Sequence, residues 1–129
     1  MCQNSPALQG RHILLAEPSY LLAMDICGGL RKAGAIVLGP VPREEQAHSI
    51  LDHEHVDATL FGNRLKHGEA LATRLTVWCL PSLLLSLEAL PVDHPLRFGR
   101  PQLVLPTCTA NLHQAVAALP QREVARLAC

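Results

Sequence analysis

Five short apolar runs, alternating with segments of helical period, constrain this chain more than any other feature. The runs are 11–17, 35–39, 56–62, 81–86 and 102–105. They are largely apolar without strict alternation, the pattern of strands buried on both faces in a parallel sheet. Between the first two, Leu21, Leu22, Met24, Ile26 and Leu30 recur at roughly helical spacing. Pro18 suits the first turn of that helix, and Ala33-Gly34 closes it. Its Gly28-Gly29 pair costs roughly 1 kcal/mol per glycine relative to alanine, so the helix is expected to be weak or closely packed there.

The Gly39-Pro40-Val41-Pro42 turn is expected to stop the second strand. An amphipathic helix over 43–52 follows, with Glu44 and Glu45 at its positive end. Another spans 69–78, and Thr109 is a reasonable cap for a last one over 110–119. Pro91, Pro95 and Pro101 leave 89–101 one short helical turn or irregular chain. A β-α series of this kind predicts a parallel sheet covered by helices on both faces, joined by right-handed crossovers.

The 129 residues fit a single domain, with a core over about 8–119 and a C-terminal tail over 120–129. Lys+Arg and Asp+Glu stand at 11 each, so no basic field favours nucleic acid. Weak charge repulsion instead favours self-association or a protein partner. Cys2, Cys27, Cys79, Cys108 and Cys129 are odd in number and lack CxxC spacing. With no secretory signal pattern, they predict reduced thiols and a cytoplasmic protein. The longest apolar stretch, 77–87, is broken by Pro81 and Ser82 and falls short of the ~20 residues of a membrane helix.

The segment order and several local sequences resemble the receiver domain of bacterial response regulators. The similarity covers about 8–119 and rests on His12-Ile-Leu-Leu-Ala-Glu17, Tyr20-Leu-Leu-Ala-Met-Asp25, Ala33-Gly-Ala-Ile-Val-Leu-Gly-Pro40 and Val56-Asp-Ala-Thr-Leu60. It implies a flavodoxin-like (CheY-like), doubly wound α/β fold with five parallel strands in the order 2-1-3-4-5. It also implies an acceptor aspartate after strand three, beside Mg2+ held by acids after strand one. Such chemistry needs an anionic nucleophile, a cation, and donors for the transferred oxygens.

On this resemblance the acceptor position is Gly62, which has no side chain to phosphorylate. Glu17 matches the first acid of the metal pair, but Pro18 stands at the second. Ser86 matches the hydroxyl residue after strand four. Leu105, before Pro106, replaces the phosphate-pairing lysine, and Leu103 falls near the readout aromatic. Asp57 cannot substitute as acceptor: at ~3.3 Å per residue it lies roughly 17 Å from Gly62, so it is expected at strand entry.

Other constellations point to bland roles. Asp52-His53-Glu54-His55 with His48 has metal-ligand chemistry, but neighbouring residues rarely converge, and a surface turn is the expected reading. Cys108 is expected as a semi-buried structural thiol, with Cys27, Cys79 and Trp78 in the core. Ser86 and Glu17 lack an oriented histidine, so no hydrolase is implied. In the resembling family, helix four, strand five and helix five form a contact face. Here that face would include Leu90, Leu96, Phe98, Leu112, Val116 and Leu119.

The sequence therefore predicts a pseudo-receiver: a non-enzymatic protein-interaction module of two-component signalling that takes no phosphoryl group. Its partner would be a histidine kinase, phosphotransferase, effector or second copy as a homodimer, with no cofactor, metal, nucleic acid or membrane. The alternatives are a conventional phospho-accepting stand-alone regulator, or a small-molecule sensor using the vacated pocket near Glu17, Gly62, Ser86 and Cys108.

Overall fold

The computed structural model describes residues 8–120. Apart from Pro120, the expected C-terminal tail lies outside them. The elements are β1 (His12–Ala16), α1 (Tyr20–Lys32), β2 (Ile36–Val41), α2 (Glu44–His53), β3 (Ala58–Gly62), α3 (Gly68–Val77), β4 (Ser82–Ser86), β5 (Gln102–Val104) and α4 (Thr109–Ala117). All four strand pairs are parallel, in the order β2-β1-β3-β4-β5. The doubly wound α/β sheet is therefore the one the apolar runs predict.

Alternate residues of the central strands feed two cores. Ile13, Leu15, Leu60, Leu83 and Leu85 pack with Leu30 of α1 and Leu112 and Val116 of α4. Leu14, Phe61 and Leu84 face the other way, onto Leu51 of α2 and Leu71 and Leu75 of α3. Burial on both faces removes any need for alternating polarity, which is why these strands read as continuous apolar runs.

Two boundaries depart from the sequence reading. Ser19 caps α1, its hydroxyl accepting the Leu22 N–H at 3.4 Å, so Pro18 precedes the helix instead of opening it. More consequentially, β2 does not stop at Gly39 but continues through a cis Gly39–Pro40 bond to Val41. Gly39 takes φ 99°, a value that suits glycine, and the β1–β2 register shifts between Leu14 and Ala16. The shift brings the Val41 carbonyl to the Glu17 N–H, 3.0 Å away, and so fixes the backbone at the end of β1.

The glycine pair in α1 resolves into two roles. Gly29 is buried, and a Cβ there would stand 2.7 Å from Leu112 Cδ2; its carbonyl also accepts from His113 Nε2 of α4 at 2.7 Å. Close helix packing explains that glycine. Gly28 is exposed and nothing lies within 4 Å of a Cβ built on it. Gly28→Ala is therefore expected to stabilise the fold by about 0.5–1 kcal/mol in chemical denaturation, the helix-propensity difference without a steric cost.

Residues 87–101 form no helix; the stretch is a series of turns. Side chains brace it in place of a helical ladder. Arg97 Nη1 donates to the Leu90 carbonyl at 3.0 Å, and the Gln102 amide accepts from the Leu90 N–H at 3.0 Å and donates to its carbonyl at 3.2 Å. Arg100 is buried beneath the stretch. It donates from Nε to Ser82 Oγ at 2.8 Å, from Nη1 to the Leu96 carbonyl, and from Nη2 to the Ala72 carbonyl at 3.0 Å and Thr76 Oγ1 at 2.7 Å.

Candidate functional site

The parallel register sets several strand ends at one edge of the sheet. Ala16 pairs with Phe61, Gly62 with Leu85, and Ser86 with Val104. Glu17 after β1, Gly62 at the end of β3, Ser86 at the end of β4 and Leu105 after β5 therefore gather at the carboxyl ends of the strands. Open α/β sheets place their ligand sites there.

Glu17 dominates this edge. Its carboxylate Oε2 accepts the Ser19 N–H at 3.0 Å, and the residue is buried. Burial pushes its carboxyl above the ordinary value of 4.5, opposed by the Ser19 bond and the charge of Arg64. A Cβ built on Gly62 would overlap Glu17 Oε1 and stand 3.0 Å from its Cδ. The Glu17 carboxylate thus takes the space that a side chain at position 62 would need.

The remaining positions are equally occupied. Ser86 is fully buried, and its hydroxyl donates to Gln102 Oε1 at 3.4 Å, toward the clasp that holds Leu90. Leu105 gives its N–H to the Ser86 carbonyl at 2.7 Å, while its side chain packs in the α1–α4 core. A cis bond to Pro106 follows. Pro18 is exposed and offers no side-chain ligand, and Leu103 packs against the same core as Leu105. Mg2+ requires a near-octahedral shell of oxygens. One carboxylate folded over a glycine, beside a proline, does not fit it.

Burial corrects the expected contact face. Leu96, Leu112, Val116 and Leu119 are core residues, and Leu90 packs against the α2–α3 core. The four core residues hold the fold together and are closed to a partner, and Leu90 is half-buried. Phe98 differs: it is 69% exposed, at φ 44°. Trp78 also departs from expectation. It follows the last residue of α3 and is 49% exposed, its ring lying under the Arg74 guanidinium at 4.2 Å.

The histidine-rich segment is distributed among separate partners. His53 Nδ1 bonds the Ser49 carbonyl at 2.8 Å, Asp52 pairs with Arg74 at 2.6 Å, and His55 pairs with Asp57 at 2.7 Å. Asp57 sits at the entry to β3, accepting the His12 N–H at 2.8 Å. Partial burial works against its charge, but that bond, the His55 bond and the two imidazoles together hold its carboxyl below the usual range. Cys27 is buried and free. Cys79 is instead half-buried and disulfide-bonded, against the expectation of a reduced core thiol. Cys108 is exposed at the N-cap of α4 and lines a cleft of about 250 Å³ with Asp25, Gly29 and Thr107; Glu17, Gly62 and Ser86 do not line it.

Sequence reasoning passed over Arg64, Arg100 and Gln102. Arg64 carried a signal, since a cation two residues beyond a strand end can act on a neighbouring carboxylate. Arg100 and Gln102 carried none, because their partners are distant in the chain.

Among the described residues, no helix is long and apolar enough to cross a membrane. The sequence matches no family model and no curated protein. Its structure is nonetheless similar to solved receiver domains. The receiver domain of the sensor histidine kinase PA1611 from Pseudomonas aeruginosa, which has magnesium coordinated in its active-site cleft, is 26% identical, with a TM-score of 0.72 over 84% of this chain and 94% of that one. The Vibrio cholerae chemotaxis protein CheY4 gives 16% identity and a TM-score of 0.74 over 86% and 99%. BeF3-activated SdrG from Pseudomonas melonis gives 23% and 0.71 over 83% and 93%. With its strand order and the alignment of its strand ends, this gives the chain the fold of the CheY-like receiver domains, a fold consistent with two-component signalling.

Proposed function

We propose that this receiver domain is a pseudo-receiver: it takes no phosphoryl group and acts by holding a protein partner. The observation that carries this reading is the Glu17 carboxylate seated where a side chain at Gly62 would stand. Aspartyl phosphorylation needs a nucleophilic carboxylate at the strand-three end, a metal to offset charge, and a donor for the transferred oxygens. Gly62 supplies no nucleophile, Pro18 no second metal ligand and Leu105 no ammonium group. Burial of the Glu17 charge also works against entry of a further anion.

A domain that keeps the fold without the chemistry can still present a fixed surface. The partner is a signalling protein of the histidine kinase, phosphotransferase or effector class, or a second copy of the chain. The domain has no catalytic residue. Of the six residues first assigned to the contact face, Phe98 is the one exposed to such a partner.

Intact-mass measurement after incubation with acetyl phosphate and Mg2+ tests the reading. No addition is expected, and a fluorescence titration of Trp78 with Mg2+ should stay flat. A stoichiometric gain of one phosphoryl group would overturn the pseudo-receiver in favour of a conventional phospho-accepting regulator. A small-molecule sensor would instead show stabilisation by a metabolite in a thermal-shift screen, again without the mass change.

A further inference from the structure

The contact between α2 and α3 is built around one histidine held by partners of opposite demand. His48 Nε2 lies 2.9 Å from Glu44 Oε2, one helical turn away, and His48 Nδ1 lies 3.1 Å from Arg74 Nη1 of α3. A carboxylate accepts and a guanidinium can only donate. This arrangement suits a neutral imidazole with its proton on Nε2 and its Nδ1 lone pair receiving Arg74. Adding a proton at Nδ1 would set two N–H donors against each other at that distance.

Arg74 has few other anchors. Its Nη1 reaches the His48 carbonyl at 3.4 Å, its Nη2 pairs with Asp52 at 2.6 Å, and its buried Nε has no hydrogen-bond partner. The guanidinium plane covers the Trp78 ring at 4.2 Å. We propose that the α2–α3 contact is a pH-sensitive clasp, in which a proton taken up at His48 Nδ1 breaks the bond to Arg74 and lifts the guanidinium from Trp78.

The groups facing His48 act in both directions. Glu44 and Asp52, on its own helix, are anionic, and Arg74 on α3 is cationic. The Arg74 bond outweighs burial at Asp52 and holds that carboxyl below its ordinary value, so Asp52 stays ionised through the range where imidazoles titrate. His53, at the end of α2, adds a further charge when protonated. The apolar core that α2 shares with β1 and β2 includes Leu14, Ala16, Leu38 and Val41, none of which titrates.

Trp78 is the sole tryptophan, so its emission reads the clasp directly. Taken from about pH 8 to about pH 5, across the imidazole range, the native protein should show one sigmoidal change. His48→Gln, whose amide oxygen can still accept from Arg74 at every pH, should lose the step entirely. Arg74→Lys, which removes the planar guanidinium from the ring, should lose it too. Glu44→Gln, which leaves the His48–Arg74 pair in place, should keep the step. Far-UV circular dichroism at pH 8 establishes that each variant is folded, and Glu44→Gln keeps both central residues if either of the others is not. A flat native profile, or an unchanged step in folded His48→Gln, would overturn the proposal.

Discussion

Arg100→Ala is expected to cost about 3–5 kcal/mol in urea or guanidinium unfolding, a large share of a small domain's stability. The side chain is 8% exposed and joins four places in one layer: Ser82 on β4, the Leu96 carbonyl in the turn region, and Ala72 and Thr76 near the end of α3. Its guanidinium carbon also stands 5.2 Å from the centre of the Phe61 ring. Truncation would leave buried acceptors without donors and open a void above Phe61, and both effects act in the same direction. Burial disfavours the Arg100 charge and lowers its proton affinity. The carbonyls at the end of α3, the negative end of the helix dipole, offset that cost. Arg100→Lys should recover little, because one ammonium cannot reproduce a planar fork spread over four acceptors. An Arg100→Ala variant within 1 kcal/mol of the native protein would show that 87–101 is held by something other than this side chain.

Gly62→Asp is expected to destabilise the native state at neutral pH by about 2–3 kcal/mol, combining overpacking with the approach of two carboxylates. The new Cβ takes the place of Glu17 Oε1, so Glu17 must swing away and give up its bond to the Ser19 N–H. The pH dependence of Glu17 itself follows from the direction of its shift. Burial raises its folded-state pKa above the unfolded value of 4.5, so the folded protein binds the proton more tightly. The stabilisation from that proton is fully present below pH 4.5 and is lost as pH rises through the raised value. Glu17→Gln, which keeps the shape and removes the charge, should therefore be more stable than the native protein at pH 7, with the difference closing below pH 4.5. In Glu17→Gln the cost of Gly62→Asp should shrink, since a neutral amide has no charge to repel the new carboxylate. Equal costs of Gly62→Asp in both backgrounds, measured by paired denaturation curves, would show that repulsion between the two carboxylates adds nothing to the cost of overlap.

The sequence by itself determined the sheet. Runs such as Leu14-Leu15 and Leu83-Leu84-Leu85 are apolar at successive positions, which only a strand covered on both faces tolerates, and their order leaves few topologies. It also determined what Gly62, Pro18 and Leu105 lack, because the absence of a carboxylate or an ammonium group is a property of the residue type. The tertiary structure alone decided what fills the space. Glu17 and Gly62 are distant in the chain, and the β1–β3 register together with the shift in β2 sets the carboxylate over the glycine.

Orientation was likewise hidden in the sequence. Leu112, Val116 and Phe98 are all large and apolar, yet two are core and one is exposed, because helix rotation and turn geometry aim side chains that composition cannot distinguish. Arg100 shows the same limit from the polar side. An arginine between prolines looks like a solvated charge until the chain brings the carbonyls of Ala72 and Leu96 around it. Local pattern fixes which segments become strands and which become helices, since periodicity acts over a few residues. Where a side chain finds its partners depends on contacts between segments far apart in sequence, and those exist only once the chain has folded.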